Sequence, residues 1–346
     1  MMPFVARHRA ILLAYLGMIG LLLLTSLFSP GFLALAHLRS MSVLAAFIGI
    51  VALGQTFVIL GGGIDLSVPW VLNSSAVLLT LISNGQDGPL GWAMPLILAC
   101  GGAIGAINGL GIALFGVPPI IMTLAVNVIL QGGILVYTGG APTAGAPPLI
   151  QYLAVGRIGE FPVVLIIWAV LAGAASLALS KTAFGRHLYA VGTSPTVAAY
   201  SGVPTAQTTV LAYVTCGLTA ALAGMLLTGY SGQAYLGMGD PYLFTSIAAV
   251  AIGGASVLGG SGHYIGTIAG AFVLTILTGL LPALNLSNGA LLIVYGVVIL
   301  VTVSLASEAF PELGRALRRL AVRRPGRPRN MAEAIKTPAG NREDMP

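Results

Sequence analysis

The stretch KTAFGRHLYAVGTSPTVAAYSGVPTAQ, Lys181 to Gln207, is a polar island in a chain that otherwise reads as membrane-soluble. It carries Lys181, Arg186 and His187, with long apolar runs on both sides. A start-and-stop signature for a very short helix lies inside it. Ser194 suits an N-cap, Pro195 the first helical position, and Gly202 followed by Pro204 ends the helix. That leaves about seven residues of helix, too few to be stable alone in water. Such a helix is either a capped turn joining two spans or an element held by neighbours or by a partner. Spacing alone leaves both readings open.

The flanks set the fold class. Of 346 residues, 57% are hydrophobic and 7% charged, and the mean hydropathy is +0.98. Soluble domains carry about a quarter charged residues, so the composition is that of an all-α integral membrane protein. Nine of the 15 Lys and Arg, and five of the nine Asp and Glu, follow residue 306. The first 306 positions hold only Arg7, Arg9, Arg39, Arg157, Lys181 and Arg186 against Asp65, Asp87, Glu160 and Asp240. A charge in the bilayer core costs a few kcal/mol or more, which accounts for the scarcity. Most of the net charge of +6 sits in the tail, so it speaks for orientation and contact with the lipid bilayer, not for nucleic acid. The sequence therefore divides into a membrane domain, 1–306, and a basic tail, 307–346, whose end from Pro325 has the composition of a disordered segment. Cys100 and Cys216 lie in apolar runs without metal-like neighbours and read as packing residues; no metal site is expected.

A helix needs about 20 apolar residues to cross the hydrocarbon core. The runs that qualify are roughly 10–28, 40–61, 66–84, 91–115, 118–138, 161–180, 206–230, 242–258, 262–282 and 288–306. The first, Ala10 to Phe28, lacks a small-residue cleavage site and reads as a span rather than a signal peptide. Arg7, Arg9, Lys181, Arg186 and the arginine-rich tail then fall on one side. Asp87, Glu160 and Asp240 fall on the other, with Arg39 and Arg157 as basic exceptions. The positive-inside rule puts both termini in the cytoplasm, with ten crossings.

Two glycine clusters interrupt this pattern at membrane depth: GGGIDLS, Gly61 to Ser67, and GGASVLGGSG, Gly253 to Gly262. Broken helices survive in membranes where they are buried in protein or face a wet cavity. Gly62, Asp65 and Ser67 are accordingly candidates for a translocation path. Asp65 has a second reading, as an N-cap on the third span. Gln55, Asn73, Asn108, Asn127 and Gln131 are polar side chains inside apolar runs, and either line a passage or hydrogen-bond between helices. Gly101, Gly105 and Gly109 form one small-residue ridge, and Gly262, Gly266 and Gly270 another. Such ridges serve a sliding or dimer contact, or tight packing within one subunit.

Some chemistries have no support. The two lysines, Lys181 and Lys336, follow Ser180 and Ile335, so no phosphate-binding G-K-[ST] core exists. H-E-x-x-H and G-x-S-x-G are absent as well.

Four ordered segments resemble the permease subunit of bacterial sugar ABC importers of the ribose/xylose/galactose type. They are GGIDLSV (Gly62–Val68), INGLGIALFGVPPIIMTL (Ile107–Leu124), FGRHLYAVGTSPTVAAYSGV (Phe184–Val203) and IGGASVLGGSGHYIGTIAGA (Ile252–Ala271). Ser194, Thr196 and Pro69 depart from the residues usual in that family, and Pro69 makes substrate identity less transferable. The resemblance implies an ABC importer permease fold of about ten transmembrane helices in the inner membrane, with the polar island as cytoplasmic coupling loop. Pro195, Val197, Ala198, Ala199, Ser201 and Gly202 would form the short helix that docks into a separate ATPase. It further implies no catalysis in this chain, with ATP and Mg bound by that partner ATPase. A periplasmic sugar-binding protein and a second permease subunit complete the expected assembly. The competing reading is an ion-coupled secondary transporter or channel for a small polar solute. Its coupling charge would have to be Asp65.

Overall fold

A computed structural model describes residues 4–28, 31–141 and 145–283, with isolated positions between 289 and 300. The tail 307–346 and most of the expected span 288–306 lie outside the described residues. The helix α1 (Phe4–Phe28) is followed by α2 (Leu35–Leu60), α3 (Val68–Ser83), α4 (Leu90–Phe115) and α5 (Pro119–Thr138). A short α6 (Pro148–Val155) leads into a two-stranded hairpin, β1 (Arg157–Ile158) and β2 (Phe161–Pro162), and then α7 (Val163–Lys181). The polar island forms α8 (Ala183–Thr193) and α9 (Pro195–Tyr200). The described helices end with α10 (Thr205–Ser231), α11 (Tyr242–Ile252) and α12 (Tyr264–Ala283).

Every residue of α2 from Ala45 to Leu60 is buried. A helix that is apolar all round belongs in the middle of a bundle, and α10, α12, α11 and α7 surround this one. Among the described residues six helices are long and apolar enough to cross a membrane: Arg9–Leu27, α2, α4, α5, α7 and α10. Three other apolar helices are shorter: α3, α11 and the Tyr264–Leu280 part of α12. The expected span 242–258 breaks at Ile252 because Gly254, Gly259, Gly260 and Gly262 all take positive φ. The 11 residues of α11 cover about 16 Å, half a bilayer core. In α3, Pro69 sits in the first turn, where its missing N–H costs nothing.

Glycines hold the bundle close. Gly101, Gly105 and Gly109 of α4 face the α10 backbone: a Cβ on them would meet Gly217, Tyr213 and Val210. Gly217 in turn abuts the Gly101 carbonyl. Gly266 and Gly270 of α12 face Gly253 and Ala249 at the end of α11. Gly262 is not part of that ridge. It precedes α12, at φ 132°, with its missing Cβ pointed at Ala255. Replacing Gly105 by Val pushes two backbones apart, and overpacking of this kind costs about 1–3 kcal/mol. The expected result is a lower melting temperature in detergent for Gly105→Val. Gly173→Val, with nothing within 4 Å of its Cβ, serves as the unaffected control.

Loop contacts sort the two ends of the bundle. Arg39 pairs with Glu160, the Leu149 amide donates to Asp87 Oδ1 (2.8 Å), and Gly145 bridges to Gln233 at one end. At the other, the Gly260 amide donates to the Leu60 carbonyl at 3.0 Å.

Candidate coupling element and buried polar cluster

Ser194 has extended backbone (φ −163°, ψ 105°), and its Oγ accepts from the Val197 amide at 3.4 Å, with Pro195 as the first residue of α9. At the far end, Gly202 (φ 78°) carries the chain into the left-handed region. The Gly202 amide donates to Ala199 O and the Val203 amide to Ala198 O, both at 3.0 Å. This paired pattern is the Schellman termination. Both ends of a six-residue helix are thereby satisfied by its own flanking residues.

The sequence reading missed α8, which makes up most of the island. Its cap is Thr182, whose Oγ1 accepts from the Gly185 amide at 3.3 Å. Its buried face is Gly185, Leu188 and Val191, spaced at helical intervals. Gly185 packs on the last carbonyls of α7, and Phe184 stacks on Phe57 of α2 with centroids 5.8 Å apart. Tyr189 donates to the Gly262 carbonyl at 2.7 Å. Burial raises the pKa of that phenol above its ordinary value, so it remains a donor.

The orientation of α9 differs from the expectation that Ala198 supplies docking surface. Ala198 is 4% exposed and turned toward its own subunit, whereas Val197 is 62% and Tyr200 90% exposed. Beside it opens a cleft of about 290 Å³, lined by Pro195, Leu188, Val191 and Thr205 on one side and Gly61 to Gly63 on the other.

Gly192, which the sequence reading gave no role, is where the island meets both glycine clusters. A Cβ there would collide with Leu60 O and Gly260 N, the two atoms of the hydrogen bond joining the clusters. A Cβ on Gly259 (φ 93°) would lie 2.8 Å from both Gly192 O and Gly62 Cα. Gly260 sits against Thr193. Three backbones therefore cross at a point one turn from the start of α9.

Five residues beyond Leu60 lies Asp65, 2% exposed. Its Oδ1 accepts from the Ser67 amide (2.9 Å) and the Ser67 hydroxyl (2.6 Å). Asp65 thus folds the turn ahead of α3 and does not cap that helix. The N-cap is Ser67, which makes no side-chain cap bond. Asn108 of α4 donates to Ser67 Oγ at 2.8 Å, and the Leu66 amide donates to Thr123 Oγ1 of α5 at 3.0 Å. Cys216 of α10 donates to Gln55 Oε1 at 3.6 Å. Gln55 Nε2, Asn108 Oδ1 and Asn127 Oδ1 are buried without a hydrogen-bond partner among the described residues. Thr123, Asn127 and Gln131 follow at i, i+4 and i+8 along α5, one stripe leading away from Asp65. Gly62 stands apart from this cluster, in the backbone crossing. Asn73 is elsewhere too: its amide, oriented to satisfy both groups, donates to Tyr235 O (3.2 Å) and accepts from Gly237 N (2.6 Å), pinning the α10–α11 loop.

The family model for the branched-chain amino acid transport system / permease component matches residues 38–303. The ribose import permease protein RbsC of Bacillus subtilis (strain 168) is 37% identical over 295 residues, 84% of this chain and 91% of the relative. RbsC of Escherichia coli (strain K12) is 34% identical over 293 residues, 83% and 91% of the two chains. The autoinducer 2 import system permease protein LsrD of Photorhabdus laumondii is 34% identical over 226 residues, 64% of this chain and 68% of the relative. No solved structure matches. With a family model covering most of its length and relatives above 30% identity over four fifths of it, the chain belongs to the branched-chain amino acid transport system / permease component family.

Proposed function

We propose that this chain is the transmembrane permease subunit of an ATP-binding cassette importer, translocating a monosaccharide or related polyol across the bacterial inner membrane. The observation that carries the reading is the similarity to ribose import permeases over more than four fifths of the chain. The chain crosses the membrane ten times with both termini in the cytoplasm. The crossings are α1, α2, α3, α4, α5, α7, α10, the half-length helix α11 together with the loop that leads into it, α12 and, by its sequence alone, the apolar run 288–306. The Leu60–Gly192–Gly260 end is then cytoplasmic, and the Arg39–Glu160 end faces outward.

In this assembly α9 is the coupling helix, and a separate cytoplasmic ATPase, which holds ATP and Mg, receives it. Val197 and Tyr200 form the contact, while Pro195, Ser194 and Gly202 fix the helix ends and Ala198 seats it on its own subunit. Ala199 and Ser201 complete the exposed rim. Movement of α9 passes through Gly192 to the Gly62 loop and so to Asp65, Ser67 and Asn108 at the base of the path. Asn127 and Gln131 continue it along α5. Beyond Asp65 the track offers amide and hydroxyl donors and acceptors, which suits an uncharged, hydroxylated solute. A second permease subunit, closing the path as a homodimer or heterodimer, and a periplasmic binding protein complete the importer. Rocking between outward- and inward-facing states is the rigid-body transition that ATP drives.

The test is reconstitution in vesicles. Uptake is expected only with the partner ATPase, ATP and a loaded binding protein. Uptake of sugar driven by an ion gradient through this chain alone overturns the proposal in favour of a secondary transporter.

A further inference from the structure

The charge sorting of the loops places Asp240 outside, with Asp87 and Glu160, but the fold carries it deeper. From Gly232 at the outer end of α10, where Gly145 bridges to Gln233, the chain turns back into the bundle. A Cβ on Gly239 would meet the backbone of Pro69, in the first turn of α3. One turn further along α3, the Asn73 amide holds Tyr235 O and Gly237 N. Because α3 runs on to Ser83, the Gly239–Pro69 contact lies about 20 Å below its outer end. From Tyr242, α11 then descends to Ile252 and the second glycine cluster, a further distance of about 16 Å. Asp240, between Gly239 and α11, therefore stands near the middle of a hydrocarbon core about 30 Å thick. The loop has two sides: Ala234, Met238 and Gly239 are buried, whereas Tyr235, Asp240, Pro241 and Phe244 are exposed. The Asp240 carboxylate makes no hydrogen bond or ion pair among the described residues. Nor does it cap α11, whose N-cap is Pro241. A carboxylate without a partner is costly against lipid, so this side of the loop faces water within the assembly.

We propose that Asp240 is a solute-contacting residue of the passage, accepting hydrogen bonds from the hydroxyls of a neutral sugar and turning back anionic solutes such as sugar acids. The inference rests on the importer reading and deepens it. An ionised carboxylate offers two acceptor oxygens, which suit two adjacent hydroxyls and bind them more strongly than a neutral acceptor does. Asp65 does not serve in this way, being buried with one oxygen held by the Ser67 amide and hydroxyl. On the same loop and the first turn of α11, Tyr235 and Phe244 are each 49% exposed. Their rings offer apolar surface to the C–H face of a sugar, the usual complement to a few polar anchors. The N-terminal end of α11 favours a negative charge at this position.

The test has two arms, both in vesicles holding the full permease–ATPase complex. In the first, Phe244→Cys is made in a Cys100→Ala background, with the buried Cys216 left in place. It is reacted with a cationic and an anionic methanethiosulfonate of matched size, each rate being divided by that of the same reagent with free mercaptoethanol. After this correction the cationic reagent is expected to react about 10-fold faster, and Asp240→Asn to abolish the preference. In the second arm, Asp240→Asn is expected to lower kcat for ATP-driven uptake of D-ribose about 10-fold, with KM for the ribose-loaded binding protein unchanged. A merely structural carboxylate would shift the melting temperature and leave the charge preference alone. Failure of both reagents to reach Phe244→Cys overturns the proposal, because the surface is then covered by lipid or by a second copy of the chain. Uptake by Asp240→Asn at the wild-type rate overturns it as well. If the wild type takes up no D-ribose with ATPase, ATP and loaded binding protein, the ribose-type importer reading fails. The reagent arm still reports whether Asp240 faces water, so the two failures are distinct.

Discussion

Gly192→Ala is expected to abolish most ATP-driven uptake while leaving ATPase docking in place. The added methyl overlaps Leu60 O and Gly260 N. Both are backbone atoms, bonded to each other at 3.0 Å, so no side chain can swing aside. Relief requires the C-terminal end of α8 to lift off both glycine loops, and α9 follows one residue later. The cost in stability is about 1–3 kcal/mol by the general scale of overpacked sites, which lowers the melting temperature without unfolding the bundle. The larger effect falls on transmission, because the α9 surface survives but no longer sits on the loop that carries Asp65. The measurement pairs sugar uptake with co-purification of the ATPase and a thermal melt. Gly202→Ala is the control: its Cβ meets nothing within 4 Å, so it strains a left-handed position by about 1–2 kcal/mol without touching the crossing. Normal uptake by Gly192→Ala refutes the idea that the crossing transmits motion. Should this variant fail to insert, Gly259→Ala tests the same contact from the opposite backbone.

How far the sequence carries such an argument depends on whether a signal is local. The ends of α9 were readable because caps are local: Ser194, Pro195 and Gly202 act on backbone groups within a few residues of themselves. The face that α9 turns inward was not readable, since a six-residue helix is too short to show an apolar stripe. Ala198 and Ala199 are chemically equal, and only the surface of the same chain beneath α9 makes one buried and the other exposed. The helix α8 escaped because its apolar positions are few and sit among Lys181, Arg186 and His187, so the segment read as a loop. Its Gly185, Leu188, Val191 spacing was the available signal. The small-residue ridges were legible as contacts but not as to partner. Periodicity marks Gly101, Gly105 and Gly109 as one face, whereas only the fold shows α10 lying on it. Gly262 shows the converse hazard: a four-residue spacing continued on paper past the point where the helix begins. Asp65 and Asn108, 43 positions apart, meet through Ser67, a juxtaposition that no local pattern encodes.

A double substitution on α9, Val197→Asp with Tyr200→Asp, is expected to leave the permease folded and inserted but unable to retain its ATPase. Both side chains point outward, at 62% and 90% exposure, so their replacement removes no internal packing, and surface changes away from such features usually stay within about 0.5 kcal/mol. An interface concentrates its energy in a few anchors, typically aromatic, and losing one costs about 2 kcal/mol or more. Introducing two carboxylates adds desolvation and removes the apolar contact, so a weakening of about 100-fold or greater follows from the same scale. Ala198→Glu is a poor probe of docking by comparison. It drives a charge into the 4%-exposed seat of α9 and detaches the helix from its own subunit, so it lowers the melting temperature as well as ATPase retention. The two variants therefore separate surface from seat. The outward pair loses ATPase with an unchanged melt, and Ala198→Glu loses both. Retention of the ATPase by the outward pair refutes α9 as the docking element, whatever the buried variant does.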